Sequence, residues 1–193
     1  MLPIFVDIER FRTIRADPAL DARFAKFPTK LLVVSRLERE KNVALAMRSF
    51  AYAAPLNACL IIVGDGGERT ALEKLARDEG LTGRAFFEGE RDAAPYYLFV
   101  DLVLVPSRYE GYGLVIVEAL AAGKPVLSTD VGIAREAGAI VTTSEKFAER
   151  LAQWFKNGSR TAELKNYPYK GFDEYVRAYC EDVLSCVPDR KGQ

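Results

Sequence analysis

Histidine is absent from all 193 residues. That removes the commonest general base and the commonest metal ligand together. Ser-His-Asp, Cys-His and histidine-based zinc chemistry are therefore excluded within this chain. No Asp-x-Asp pair occurs, so a carboxylate-held divalent cation has little support and no metal is expected. Cysteine is sparse: Cys59, Cys180 and Cys186 form no CxxC pair, and an odd, scattered set is not a disulfide framework. Cys59, inside Ala58-Cys59-Leu60-Ile61-Ile62-Val63, reads as a small buried hydrophobe in a reducing compartment. No apolar run is long enough to span a bilayer, and Met1-Leu2-Pro3-Ile4-Phe5 is too short, and too soon acidic, for a signal peptide. Net charge is also missing: 27 basic residues balance 27 acidic ones. Nucleic acid is thus not an expected partner.

What remains is an ordinary globular composition, 49% apolar and 28% charged, in a length suited to a single domain over residues 1–193. Short apolar runs punctuate it: Leu31–Val34, Leu60–Val63, Ala85–Phe87, Leu102–Val105, Pro125–Ser128 and Ala139–Val141. Helical patterns fall between them. One runs through Val43, Ala46, Met47 and Phe50, with Asn42 as its expected cap. Others carry Leu72, Leu75 and Ala76, and then Leu114 to Ala122. Fully apolar strands alternating with helices predict an α/β fold with a doubly wound, Rossmann-like parallel sheet covered on both faces. A C-terminal helical tail follows. Ser144 is expected to open a helix through Phe147, Leu151 and Trp154, Tyr167 to Gly171 breaks the pattern, and a last helix carries Phe172, Tyr175, Val176, Tyr179 and Val183.

In such a fold ligands bind beyond the carboxyl ends of the strands. The segments there are 35–41, 64–67, 89–91, 107–114 and 129–133. In the first, Arg36 and Lys41 could hold a diphosphate, one as a planar fork and the other as a mobile point charge; a merely solvated charged loop fits the same residues. Gly64-Asp65-Gly66-Gly67 lacks the third glycine of a dinucleotide fingerprint and reads as a tight strand-to-helix turn. Glu110 and Glu118 stand eight residues apart, the first on a loop and the second inside an apolar helix. Gly111 and Gly113 between them allow close backbone approach, and the helix start offers N–H groups to a phosphate. Glu118 needs a partner in its apolar surroundings, and a ribose diol would supply one. A capping glutamate and a partly exposed one remain an alternative.

These residues carry a resemblance. Pro106 to Leu114, Glu118-Ala119 and Gly123-Lys124-Pro125-Val126 resemble the signature of retaining GT-B glycosyltransferases of the group 1 (family 4) type, with Glu110 and Glu118 as its E-x7-E pair. Val34-Ser35-Arg36-Leu37 with Lys41-Asn42, Val63-Gly64-Asp65-Gly66 and Phe87-Glu88-Gly89 match further landmarks. The resemblance implies the C-terminal, donor-binding half of a GT-B fold. Arg36 and Lys41 would hold the diphosphate of a nucleotide sugar without a metal. Glu118 would take the ribose, and Glu110 would be the catalytic contact to the transferred sugar. Gly111, Tyr112, Gly113, Leu114 and Val115 would line sugar and phosphate, with Ser35, Gly64 and Arg91 completing the donor contacts. Three positions depart from the pattern: Ser35 stands where glycine is usual, Tyr112 where phenylalanine is common, and Val131 where a second glycine is frequent.

Ile4 to Phe11 is similar to the segment that opens this domain, so an acceptor-binding half would be expected before it. The chain then reads as an isolated domain, a truncated product or one chain of a two-chain enzyme, inactive alone. In the family the final helix packs back against that half. The implied compartment is the cytoplasm, with peripheral membrane association of the full-length enzyme left open. Two other functions fit less well: a sugar-nucleotide epimerase of related fold, and a non-catalytic nucleotide-sugar binding or interaction module.

Overall fold

A run of four or more apolar residues cannot alternate between core and water, so a strand built from one must be covered on both faces. In the computed structural model, which describes residues 4–169 and 171–186, each of the six short apolar runs picked out in the sequence forms a strand. These are β1 (Thr29–Val34), β2 (Ala58–Val63), β3 (Ala85–Gly89), β4 (Leu102–Val105), β5 (Val126–Ser128) and β6 (Ile140–Val141). Among the described residues they make a single parallel sheet in the order β3-β2-β1-β4-β5-β6. The first three residues of the opening stretch, and Lys170 within the break at 167–171, lie outside the described residues.

The two faces have separate cores. Leu32 points into one, with Phe11, Phe24, Tyr97, Val117 and Leu120. Leu31 and Val33 point into the other, with Met47, Phe50, Leu151 and Trp154. This is the period-two alternation of a strand acting inside a continuous apolar run. Helix α1 (Ile8–Thr13) packs on the first face, where α2 (Pro18–Phe24) also contributes Phe24. The second face is covered by α3 (Val43–Ala53), α4 (Arg69–Asp78) and, further along the chain, α8 (Phe147–Asn157). The expected positions Val43, Ala46, Met47 and Phe50 are the buried side of α3. Between these lie α5 (Ala94–Phe99), α6 (Leu114–Ala121) and the single turn α7 (Ala134–Ala137). The tail ends in α9 (Phe172–Ser185), on which Phe172, Val176, Tyr179 and Val183 are exposed.

Two local expectations need correction. Asn42 precedes α3 but does not cap it through its side chain. It adopts a left-handed conformation (φ 51°) after a 3-10 turn at Arg39–Lys41, a backbone state asparagine tolerates better than most residues. Helix α8 starts at Phe147 rather than Ser144, because the residues between form a turn. Cys59 is buried as expected, and burial pushes its thiol up to about 12. Among the described residues no helix is long and apolar enough to cross a membrane.

Candidate functional site

Strands β1 and β4 are neighbours, yet the chain leaves them for opposite flanks of the sheet. At such a reversal of strand order the following loops part and a crevice opens between them. A cavity of about 310 Å³ lies there. Its floor is the ends of β1 (Val33, Val34) and β4 (Leu104, Val105). One wall is Ser35, Arg36 and Lys41, and the other is Ser107, Glu110 and the start of α6 from Tyr112 to Ile116. Ile4 completes the rim.

The first wall is set by backbone packing. Gly64 and Gly66, at the end of β2, have φ of 128° and 158°. A β-carbon on Gly64 would lie 1.9 Å from the Ser35 carbonyl oxygen. Ser35 N–H donates to the Val63 carbonyl, and Leu37 N–H to that of Asp65. Gly64 to Gly67 is thus the tight turn its sequence suggested. It braces the loop after β1 from behind and does not line the cavity.

The 3-10 turn brings Lys41 across the crevice, where its ammonium donates to Glu110 Oε2 at 2.7 Å. Ser107 Oγ–H donates to the other carboxylate oxygen, Oε1, also at 2.7 Å. Thr129 in turn donates to the Ser107 carbonyl, tying this loop to the end of β5. Arg36 lies 3.2 Å from Glu40 and is largely exposed. Helix α6 begins beyond Gly113 (φ 95°); Ile116 N–H already donates to the Gly113 carbonyl, so the first-turn amides left without an acceptor in the helix are those of Leu114 and Val115, two residues that line the cavity. Two buried hydroxyl oxygens on the same walls, Ser35 Oγ and Tyr112 Oη, have no hydrogen-bond partner among the described residues. Buried polar atoms are rarely left so.

Eight of the twelve site residues expected from the sequence therefore converge: Ser35, Arg36, Lys41, Glu110, Tyr112, Gly113, Leu114 and Val115. Gly64, Gly111, Arg91 and Glu118 do not line the cavity. Gly111 is exposed on the loop. Arg91 donates through Nε to the Glu88 carbonyl at 2.8 Å. Glu118 sits a turn deeper in α6, and the partner it requires is within the protein: the hydroxyl of fully buried Tyr97 donates to its Oε2 at 2.9 Å. Phe11 of α1 packs edge-on against Tyr97, and Arg10 of α1 pairs with Asp92 at 2.7 Å beside them. Sequence reasoning gave no role to Ser107 or Tyr97. Ser107, three residues before a loop carboxylate, carried a readable signal; Tyr97, in an apolar helix, carried none.

Burial among apolar neighbours pushes the Glu118 carboxyl above its ordinary value of 4.5, against the opposing pull of the Tyr97 hydroxyl and Arg10. A raised folded-state value means that the ionised form costs stability. The cost is present at neutral pH and disappears as pH falls through the raised value towards 4.5. Glu118→Gln, which cannot ionise, is expected to melt above the unaltered protein at neutral pH and to lose that advantage by about pH 4. Thermal melts at the two pH values check this; a variant that melts lower at neutral pH refutes it.

The family model described as "Glycosyl transferases group 1" matches residues 21–171, well over half of the chain. The chain belongs to that family. Among curated relatives, the lipopolysaccharide core biosynthesis mannosyltransferase LpsB of Rhizobium meliloti is 45% identical over 146 residues, which are 68% of this chain and 42% of LpsB. The N-acetyl-alpha-D-glucosaminyl L-malate synthase of Bacillus anthracis is 34% identical over 104 residues, 53% of this chain and 27% of that protein. The matched stretch thus spans less than half the length of these relatives. Among solved structures, Anabaena HepE in complex with UDP-glucose superposes with a TM-score of 0.76 at 24% identity, covering 93% of this chain and 56% of HepE. The C-terminal domain of the group 1 protein LpcC from Francisella tularensis gives 0.65 at 19% identity, covering 79% of this chain and 89% of that one. At these identities the likeness concerns the fold, which is that of a GT-B C-terminal domain.

Proposed function

We propose that this group 1 domain is the donor-binding half of a retaining glycosyltransferase that uses a nucleoside diphosphate sugar without a metal ion. The observation that carries the reading is the convergence of Arg36, Lys41, Glu110 and the start of α6 on one cavity at the strand-order reversal. Cations and helix amides suit a diphosphate. They would also stabilise the charge that develops on it as the glycosidic bond breaks, in place of a metal. Glu110 would accept hydrogen bonds from hydroxyls of the transferred sugar. Glu118, steadied by Tyr97, would offer its other oxygen to the ribose. Family membership supports this reading against the epimerase. The UDP and UDP-glucose complexes of HepE, a fold neighbour, support the ligand class. The acceptor, its binding half, and a cytoplasmic setting in which Cys59, Cys180 and Cys186 stay free belong to the same proposal.

Calorimetry with UDP, GDP and ADP in the presence of a chelator tests it. At least one of them or of their sugar esters is expected to bind, and no heat with any of either set would refute the donor site. Arg36→Ala separates the roles further. A charge-assisted contact to phosphate is worth roughly 1.5–3 kcal/mol, so diphosphate affinity should fall about tenfold or more. Affinity for the bare nucleoside should hardly change. Equal losses for both would mean that Arg36 shapes the pocket instead.

A further inference from the structure

Lys41 and Glu110 are each only 16% exposed and lie 2.7 Å apart. Glu110's second oxygen is taken by Ser107. The most enclosed cation in the cavity is thus neutralised before any ligand arrives, whereas Arg36 is 72% exposed and only loosely paired with Glu40. A phosphate that reaches Lys41 must lie beside the Glu110 carboxylate. From this geometry, and resting on the donor-site reading above, we propose that Glu110 is a specificity-determining residue. It makes the site favour the sugar ester of a nucleoside diphosphate over the free nucleoside diphosphate.

Two effects act with the same sign. The terminal phosphate of a free nucleoside diphosphate loses its second proton near pH 6 and carries close to two negative charges at neutral pH, as other phosphate monoesters do. Esterified to a sugar, the same phosphate carries one. The additional charge meets Glu110 in a partly enclosed site, where like charges repel more strongly than in water. The sugar also brings hydroxyl donors that a carboxylate accepts, whereas a bare phosphate at neutral pH brings only acceptors that clash with it. A site made of cations alone would do the reverse and hold the more highly charged free diphosphate tighter. With Glu110 beside Lys41, the domain retains the ester and lets the free diphosphate go.

The experiment is calorimetry at neutral pH on three pairs: UDP with UDP-glucose, GDP with GDP-mannose, and ADP with ADP-glucose. The pair that binds best is carried forward, and the quantity read is the dissociation constant of the free diphosphate divided by that of its ester. Glu110→Gln removes the charge and keeps the shape. It is expected to lower this ratio roughly tenfold, about 1.4 kcal/mol, with part of the change coming from tighter binding of the free diphosphate. Lys41→Met leaves the carboxylate uncompensated and is expected to raise the ratio. An unchanged ratio in Glu110→Gln, an equal loss of both ligands, or a lowered ratio in Lys41→Met overturns the proposal. If the unaltered chain binds neither member of any pair, the donor-site reading falls instead.

Discussion

Gly64→Ala is expected to lower the melting temperature by roughly 10 °C and to weaken nucleotide binding with it. At this position the backbone has φ 128°, where an L side chain is strained. The new β-carbon would also stand 1.9 Å from the Ser35 carbonyl oxygen and 2.8 Å from its carbonyl carbon. Those are backbone atoms at the end of a central strand, with no flexible side chain to give way. Strain and overpacking each cost about 1–3 kcal/mol, together about 4 kcal/mol. For a domain of this size each kcal/mol moves the midpoint by about 2–4 °C. The displaced atoms belong to the residue that precedes Arg36, so the cationic wall moves as well. Thermal denaturation followed by circular dichroism, with calorimetry on the folded fraction, measures both. A variant that melts within a degree or two of the unaltered protein would mean that the loop after β1 is softer than its packing implies.

Trp154→Ala is expected to cost as much stability and no affinity. The indole is 4% exposed in the core beneath α3 and α8. Its N–H donates to the Ser159 carbonyl at 3.0 Å, and the Arg160 guanidinium lies over the ring at 4.1 Å. Large-to-small changes of this kind cost about 3–5 kcal/mol, since neighbouring groups only partly fill the space left. That again corresponds to a fall of roughly 10 °C. Ser159, Arg160 and Phe155 are all outside the cavity wall. Nucleotide affinity, measured well below the melting transition, should therefore match that of the unaltered protein. A matching loss of affinity would show that the core Trp154 shares with Leu37 and Val43 transmits the change to the loop after β1.

The sheet was the most legible part of the sequence. Strands covered on both faces must be apolar throughout, and Leu60-Ile61-Ile62-Val63 or Leu102-Val103-Leu104-Val105 leaves little other choice. Helices α1, α2 and α5 were not legible as periodic segments, because six or seven residues contain barely one repeat of a helical pattern. Their signals are local instead: Asp7 accepts from Arg10 N–H, and Asp17 before Pro18 accepts from Ala19 and Leu20 N–H. In the site, residues just after β1 and β4 were readable, since topology sends such loops to the crevice. The pairings were not. Lys41 meets Glu110 across 69 positions and Tyr97 meets Glu118 across 21, each between different elements. A sequence displays charge at each position, but which charges cancel depends on how separate elements dock. That is why the sequence showed Glu118's need for a partner without showing that Tyr97 meets it at one of the two carboxylate oxygens.

The two walls of the cavity come from stretches of chain far apart in sequence. One hangs from β1 and leads to α3; the other hangs from β4 and leads to α6. They meet above the apolar floor at two points, the Lys41–Glu110 ion pair and the Arg108 N–H donated to the Glu40 carbonyl. Apart from those contacts, the walls are separate targets for selection in a lineage of such domains. The cationic wall, anchored by fully buried Leu37, can stay as it is while the one bearing Glu110 and Tyr112 is rewritten, because residues 107–113 place only the partly buried Tyr112 against a core. Diversification of the sugar a domain accepts would then proceed by small edits to one loop, with the sheet beneath indifferent to the outcome.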